Sequence, residues 1–143
     1  MKKTASFDYA QDKRGFTLVE LLVVVAIIAV LSVIGITIFS GVQKSARDAR
    51  RKADINAISN ALEADFSSNN RTEYQTVTGG MFSGGVMLTD PTNSGGYDYK
   101  ISALPLATYT VCAKLESGNG GNSSDNTGTA AANGGFYCQK SQQ

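Results

Sequence analysis

The chain has 143 residues but no histidine and no tryptophan, two cysteines and two prolines. The missing histidine excludes a histidine-based catalytic triad, a histidine-ligated metal and an imidazole proton shuttle. Two cysteines are too few for a four-thiolate zinc site. Charge is nearly balanced, 13 Lys+Arg against 12 Asp+Glu, so composition calls for neither a nucleic-acid nor an acidic partner. These absences point away from an enzyme, and no cofactor or metal is assigned.

What is present is unevenly spread. Residues 16–39 (FTLVELLVVVAIIAVLSVIGITIF) are hydrophobic at 19 of 24 positions, whereas 12 of the 15 glycines lie at or after Gly79. Leu21–Phe39 is a run without charge, and as a helix it spans roughly 28 Å, about the hydrocarbon thickness of a bilayer. A buried strand is excluded by length, and a core helix by the small size of the remaining domain. A cleaved secretory signal would be shorter and end in a small-residue cleavage site. Ser32, Gly35 and Gly41 form no such site, and helical periodicity continues past them.

In that continuation, Val42, Ala46, Ala49 and Ala53 step by 4, 3 and 4, and Ile55, Ile58, Leu62 and Phe66 by 3, 4 and 4. We read this as one apolar stripe for a domain to cover. No proline precedes Pro91, so nothing forces a break. The expectation is a single helix from about Phe16 to Phe66, stopped by Ser67-Ser68-Asn69-Asn70, with Gly35 and Gly41 as its weak points.

Beyond residue 71 the chain predicts short strands at Gly85–Leu88, Tyr97–Ile101, Ala107–Leu115 and Phe136–Gln139. In the third, Tyr109, Val111 and Ala113 alternate with Thr108, Thr110 and Cys112. Ser117–Gly135, rich in Gly, Asn and Ser, predicts a long mobile loop. The fold class expected is therefore α+β: a long N-terminal helix, apolar in its first half, with a small antiparallel sheet packed on its second half.

The informative residue is Glu20, the single charge between Gly15 and Lys44. A carboxylate inside a membrane helix costs about 2.5–3.5 kcal/mol at mid-bilayer and usually has a function. Near the end of the run it could instead reach the headgroups cheaply. The surrounding string Lys13-Arg14-Gly15-Phe16-Thr17-Leu18-Val19-Glu20-Leu21-Leu22 resembles the processing site of type IV prepilins.

That resemblance implies a leader of residues 1–15, removed by a prepilin peptidase that cuts between Gly15 and Phe16 and N-methylates Phe16. It implies a transmembrane and assembly helix over 16–41, and a pilin-like head over 42–143 (helix 42–66, sheet and loops 67–143). Glu20 becomes the fifth mature residue, where the family carries its glutamate. In a filament it would pair with a neighbour's Phe16 amine and set the stagger of the helices; the alternative is an intrachain pair between positions 16 and 20. Many relatives carry a proline in mid-helix; this chain does not.

The partners implied are further copies of the chain in a helical homo- or hetero-filament, the peptidase, an assembly ATPase, a platform protein, and membrane lipid before assembly. The precursor would be a single-pass protein of the cytoplasmic membrane with its C-terminus outside, and the filament extracellular or periplasmic. That location is oxidising, so Cys112 and Cys138 are expected to form a disulfide, buried free thiols being the alternative.

The basic run Lys44, Arg47, Arg50, Arg51 and Lys52 reads as a helix leaving the membrane among lipid headgroups, with DNA binding as the sharper but less favoured reading. Asp125 offers one carboxylate, too few for a calcium site. Two other readings stand beside a pilus subunit: a pseudopilin of a type II secretion or DNA-uptake machine, and a single-span, membrane-anchored surface binding protein with an intact N-terminus.

Overall fold

The computed structural model describes residues 15–102 and 107–143. Residues 1–14, the greater part of the expected leader and with it Lys13-Arg14, lie outside the described residues. The chain divides into two compact units, the boundary falling between Phe39 and Ser40.

The first unit is helical. Helix α1 begins at Leu18 and continues into the second unit as far as Ser68. Its start lies two residues later than periodicity predicts, because Thr17 is used as a cap. Every large apolar side chain from Leu18 to Phe39 is half exposed or more. Ser32 and Thr37 donate their hydroxyls to the carbonyls of Ile28 and Ile34, which hides their polarity within the helix. The segment is long and apolar enough to cross a membrane.

The second unit holds residues 40–68 of α1 and a five-stranded antiparallel sheet. The strands are β1 (Lys100–Ile101), β2 (Thr110–Lys114), β3 (Gly121–Ser123), β4 (Ala130–Gly134) and β5 (Phe136–Lys140), in spatial order β1-β2-β5-β3-β4. Here α1 ends as Ser67–Asn70 predict, and the reason is visible. Asn70 adopts the left-handed conformation (φ 47°), Arg71 N–H donates to Phe66 O at 3.1 Å, and Asn70 N–H to Ser67 O at 3.4 Å. These are the two bonds of a Schellman cap, which satisfy carbonyls left without helical partners.

The core forms where α1 meets β2. Ile55, Ile58 and Leu62 pack with Tyr109, Val111 and Ala113 and with Tyr74 and Val77 from the segment after the helix. Each large apolar side chain buried here contributes roughly 1.5–3 kcal/mol. Phe66 stacks on Tyr74 and Tyr74 meets Tyr109 edge-on, with ring centroids 4.6 and 4.7 Å apart. The Tyr109 hydroxyl lies 2.7 Å from Ser59 Oγ and 3.0 Å from Glu63 Oε1, so this aromatic cluster has a polar edge tied to the helix. Burial first, and then the Glu63 carboxylate, push the Tyr74 hydroxyl up to about 12.

Four sequence expectations need correction. Ile55, Ile58 and Leu62 do face the sheet, but Val42, Ala46, Ala49 and Ala53 are exposed. The buried face continues instead through Asp48 and Arg51, because an ion cluster, described below, covers that end of the sheet. Gly85–Leu88 forms no strand; a 3-10 turn at Gly79–Met81 precedes it. Only Lys100–Ile101 of the Tyr97–Ile101 prediction pairs.

Ser117–Gly135 is not one long loop: it contains β3 and β4. Glycine makes this pairing possible. A Cβ on Gly121 would collide with the Phe136 carbonyl, and one on Gly134 with the Ser123 carbonyl. The bulge between Gly121 and Ser123 turns the Asn122 side chain onto β5, where its amide accepts from Cys138 N–H (2.7 Å) and donates to Cys138 O (2.8 Å). A side chain thus completes the backbone ladder.

Candidate processing and assembly site

Gly15, Phe16 and Thr17 precede the helix and are exposed; Phe16 is 90% exposed. The first turn is closed by a reciprocal pair. Thr17 Oγ1 accepts from Glu20 N–H at 3.2 Å, while Glu20 Oε2 accepts from Thr17 N–H at 2.8 Å and from the Thr17 hydroxyl at 2.7 Å. This is a capping box with Thr17 as N-cap and Glu20 three residues on. It satisfies amide groups that a helix start leaves without partners, and it places a carboxylate at the positive end of the helix dipole.

Among the described residues, Glu20 is thus hydrogen-bonded to Thr17. Thr17 was missed in the sequence reading, although the signal is present as T-x-x-E immediately before an apolar run. All three bonds use Thr17, and two of them end on one carboxylate oxygen, Oε2; Oε1 has no hydrogen bond within this box.

The basic run behaves differently from its sequence reading. Arg51 is fully buried, and its guanidinium makes five hydrogen bonds. Nε donates to Asp90 Oδ2 (2.5 Å), Nη1 to Asp48 Oδ1 (2.9 Å) and Glu116 Oε1 (2.7 Å), and Nη2 to Asp90 Oδ1 (3.0 Å) and Thr92 Oγ1 (2.9 Å). These are as many bonds as a guanidinium has N–H groups. The Tyr97 ring closes one face, its centroid 4.7 Å from Arg51 Cζ.

The carboxylates are themselves held. Asp48 accepts from the N–H groups of Glu116 and Ser117, and Asp90 from those of Thr92 and Asn93. Arg47 forms a fork on Glu116 at 2.7 and 2.5 Å. Burial works against the charge of Arg51, but the carboxylates, Asp90 first, outweigh it and raise its pKa. The Arg47 bond, which outweighs the opposing effect of burial, and then the Arg51 bond hold Glu116 down at about 2.

Lys52 donates to Gly120 O at 2.7 Å, and Arg50 lies 3.8 Å from Asp54. Four of the five basic residues thus bind the head's own groups. The cluster joins α1 to the segment at 90–93 and the turn at 115–117.

Cys112 and Cys138 are directly opposed on β2 and β5 and form a disulfide. Closing the intervening loop contributes about 3–4 kcal/mol in the chain-entropy model. Asp125 Oδ1 accepts from Thr127 N–H, the Thr127 hydroxyl and Thr129 N–H. Thr129 first, and Thr127 with it, hold this carboxyl below its ordinary range. It orders its own turn, and no group of three or more metal-ligating side chains occurs among the described residues.

Comparison with known proteins bears on the N-terminal geometry. Residues 11–36 match the model of the prokaryotic N-terminal methylation motif. The chain is similar to the type IV major pilin protein PilA of Myxococcus xanthus (strain DK1622), at 33% identity over 91 residues. The matched region is 63% of this chain and 37% of that relative, so the chain spans little more than a third of the relative's length. No solved structure matches. The methylation-motif match thus falls over the capped start of the exposed apolar helix, and the chain is similar to a type IV major pilin over its matched region.

Proposed function

We propose that the chain is the structural subunit of a type IV pilus-like filament, made as a membrane-anchored precursor and assembled through residues 16–41 of its N-terminal segment. The observation that carries this reading is the first half of α1. Its apolar side chains are exposed all round, so among the described residues no part of the chain covers it. In water that surface is strongly unfavourable, so it must be covered by lipid or by other apolar helices. A subunit that passes from bilayer to filament uses each cover in turn.

Processing belongs to the same reading. Water adds across the Gly15–Phe16 amide, giving a Gly15 carboxylate and a Phe16 ammonium; once that ammonium loses a proton, the free amine takes a methyl group from a sulfonium methyl donor bound by the peptidase, which leaves as the thioether. Leader removal discards the charges of residues 1–14 and leaves one amine at the end of an apolar helix. That amine and the Glu20 carboxylate are both costly to bury alone, and pairing offsets the cost. Paired between chains, they set register while apolar packing supplies most of the association free energy.

The oxidised Cys112–Cys138 pair fits a head facing an oxidising compartment. An assembly ATPase and a platform protein complete the set of partners, and the similarity to a major pilin is the reason a pilus is proposed here ahead of a pseudopilus. The test is Glu20→Ala in cells that express the assembly machinery. The protein is expected to be cut after Gly15 and to accumulate in the membrane, with surface filaments absent by electron microscopy. Normal filaments from Glu20→Ala would overturn the register role, and short periplasm-spanning fibres from the wild type would make the chain a pseudopilin.

A further inference from the structure

From the geometry of the first turn we infer that Thr17 is a positioning residue for processing: its capping box fixes the start of α1 at Leu18, two residues beyond the scissile Gly15–Phe16 peptide, and so keeps that peptide extended for the peptidase. The inference rests on the processing reading above and adds a determinant to it.

The argument begins with what a protease needs. Hydrolysis requires the amide to lie open in a cleft, and a peptide wound into a helical turn is folded back on itself. Phe16 is followed at once by a long apolar helix, and nothing in its own side chain prevents it from joining that helix. What stops the winding is local. Thr17 takes the N-cap position, where the backbone is non-helical, and is held there by three hydrogen bonds with Glu20. Helix α1 accordingly starts at Leu18, and Gly15 and Phe16 stand outside it, exposed.

Removing the hydroxyl shifts the balance in one direction. Alanine is a poor N-cap and a good helix former, whereas glycine is an acceptable N-cap. With Thr17→Ala the best remaining cap nearby is Gly15. Moving the cap there takes Phe16 into the first helical position and winds the scissile peptide into the start of the helix. The peptidase then meets less competent substrate: the apparent KM rises by the inverse of the extended fraction while kcat is unchanged. A cap worth about 1 kcal/mol raises KM by at most about five-fold. Serine, which caps as well as threonine, restores the wild-type value.

The experiment uses the full-length precursor in detergent micelles with purified prepilin peptidase, comparing wild type, Thr17→Ala and Thr17→Ser. The cut position is read by mass spectrometry, and the backbone state of Phe16 by its Cα and carbonyl chemical shifts. The expected result is a KM raised for Thr17→Ala, by up to about five-fold, at constant kcat, helical shifts at Phe16 in that variant alone, and recovery with Thr17→Ser. Unchanged helical shifts over residues 24–31 exclude general misfolding as the cause. If Thr17→Ala is cut with wild-type KM, if its Phe16 stays non-helical because the helix end frays, or if kcat falls and serine does not rescue it, the positioning role is overturned while the processing reading stands. Failure of the wild type to be cut after Gly15 would overturn both.

Discussion

The two halves of α1 solve opposite problems with one backbone conformation. Residues 18–39 carry apolar side chains on every face, and among the described residues none of the large ones is buried. Residues 40–68 carry charges and alanines, yet bury an arginine completely, with an aspartate beside it. The first half leaves its surface for other molecules, and the second turns even its cations inward. Hydrophobicity along a helix therefore does not identify the face that the chain itself covers. What does so is whether remote segments supply matching groups.

The comparison breaks most visibly at Arg51. Arg51→Met removes the cation that joins Asp48, Asp90 and Glu116 and leaves three carboxylates in a buried site. Loss of one partner from such a cluster costs about 3–5 kcal/mol. We expect the head to unfold at much lower urea, followed by the near-ultraviolet circular dichroism of its tyrosines, while residues 18–39 stay helical in detergent.

A matched pair of truncations sharpens the contrast. Ile58→Ala opens a cavity in the core and should destabilise the head by about 2–5 kcal/mol. Ile28→Ala, in the first half, should change head stability by less than about 0.5 kcal/mol. Equal effects in the same urea titration would mean that the first half has a partner in the chain after all.

The smallest effect is the dependence on acid. Glu116 has an ordinary value of 4.5 and is held at about 2 in the folded head. A carboxyl lowered by folding takes up protons more readily when unfolded. Its contribution is therefore complete above about pH 4.5 and is lost as the pH falls from there through about 2. Asp48 and Asp90 are shifted in the same direction. Urea midpoints measured from pH 7 to pH 2 should fall in that window, and Glu116→Gln should flatten the fall.

Much of this arrangement was legible in the amino-acid order, and the misses have physical reasons. The long helix, its end at Ser67–Asn70, the Ile55–Ile58–Leu62 face and the best strand were readable because each is a local pattern. The Val42–Ala53 stripe was assigned to the wrong face because small alanines gain little from burial, and Arg51 gains more from partners 39 and 65 residues away. No local pattern announces such partners.

Strands β3 and β4 were hidden in a polar, glycine-rich stretch, where pairing depends on close backbone approach and on one asparagine side chain. At the candidate site, the Gly15–Phe16 junction and Glu20 stood out through the resemblance and through the cost of a charge in oil. Thr17 could have been found from capping chemistry alone, and was not.

The central claim is that the first half of α1 is exposed because it is built to leave one apolar environment for another once its leader has gone. The most direct test is the mass of the N-terminal peptide of the protein recovered from filaments sheared off cells. The account predicts a peptide that begins at Phe16 and carries one added methyl group on its amine. A peptide that begins at Met1, or the absence of the chain from any filament, would contradict it.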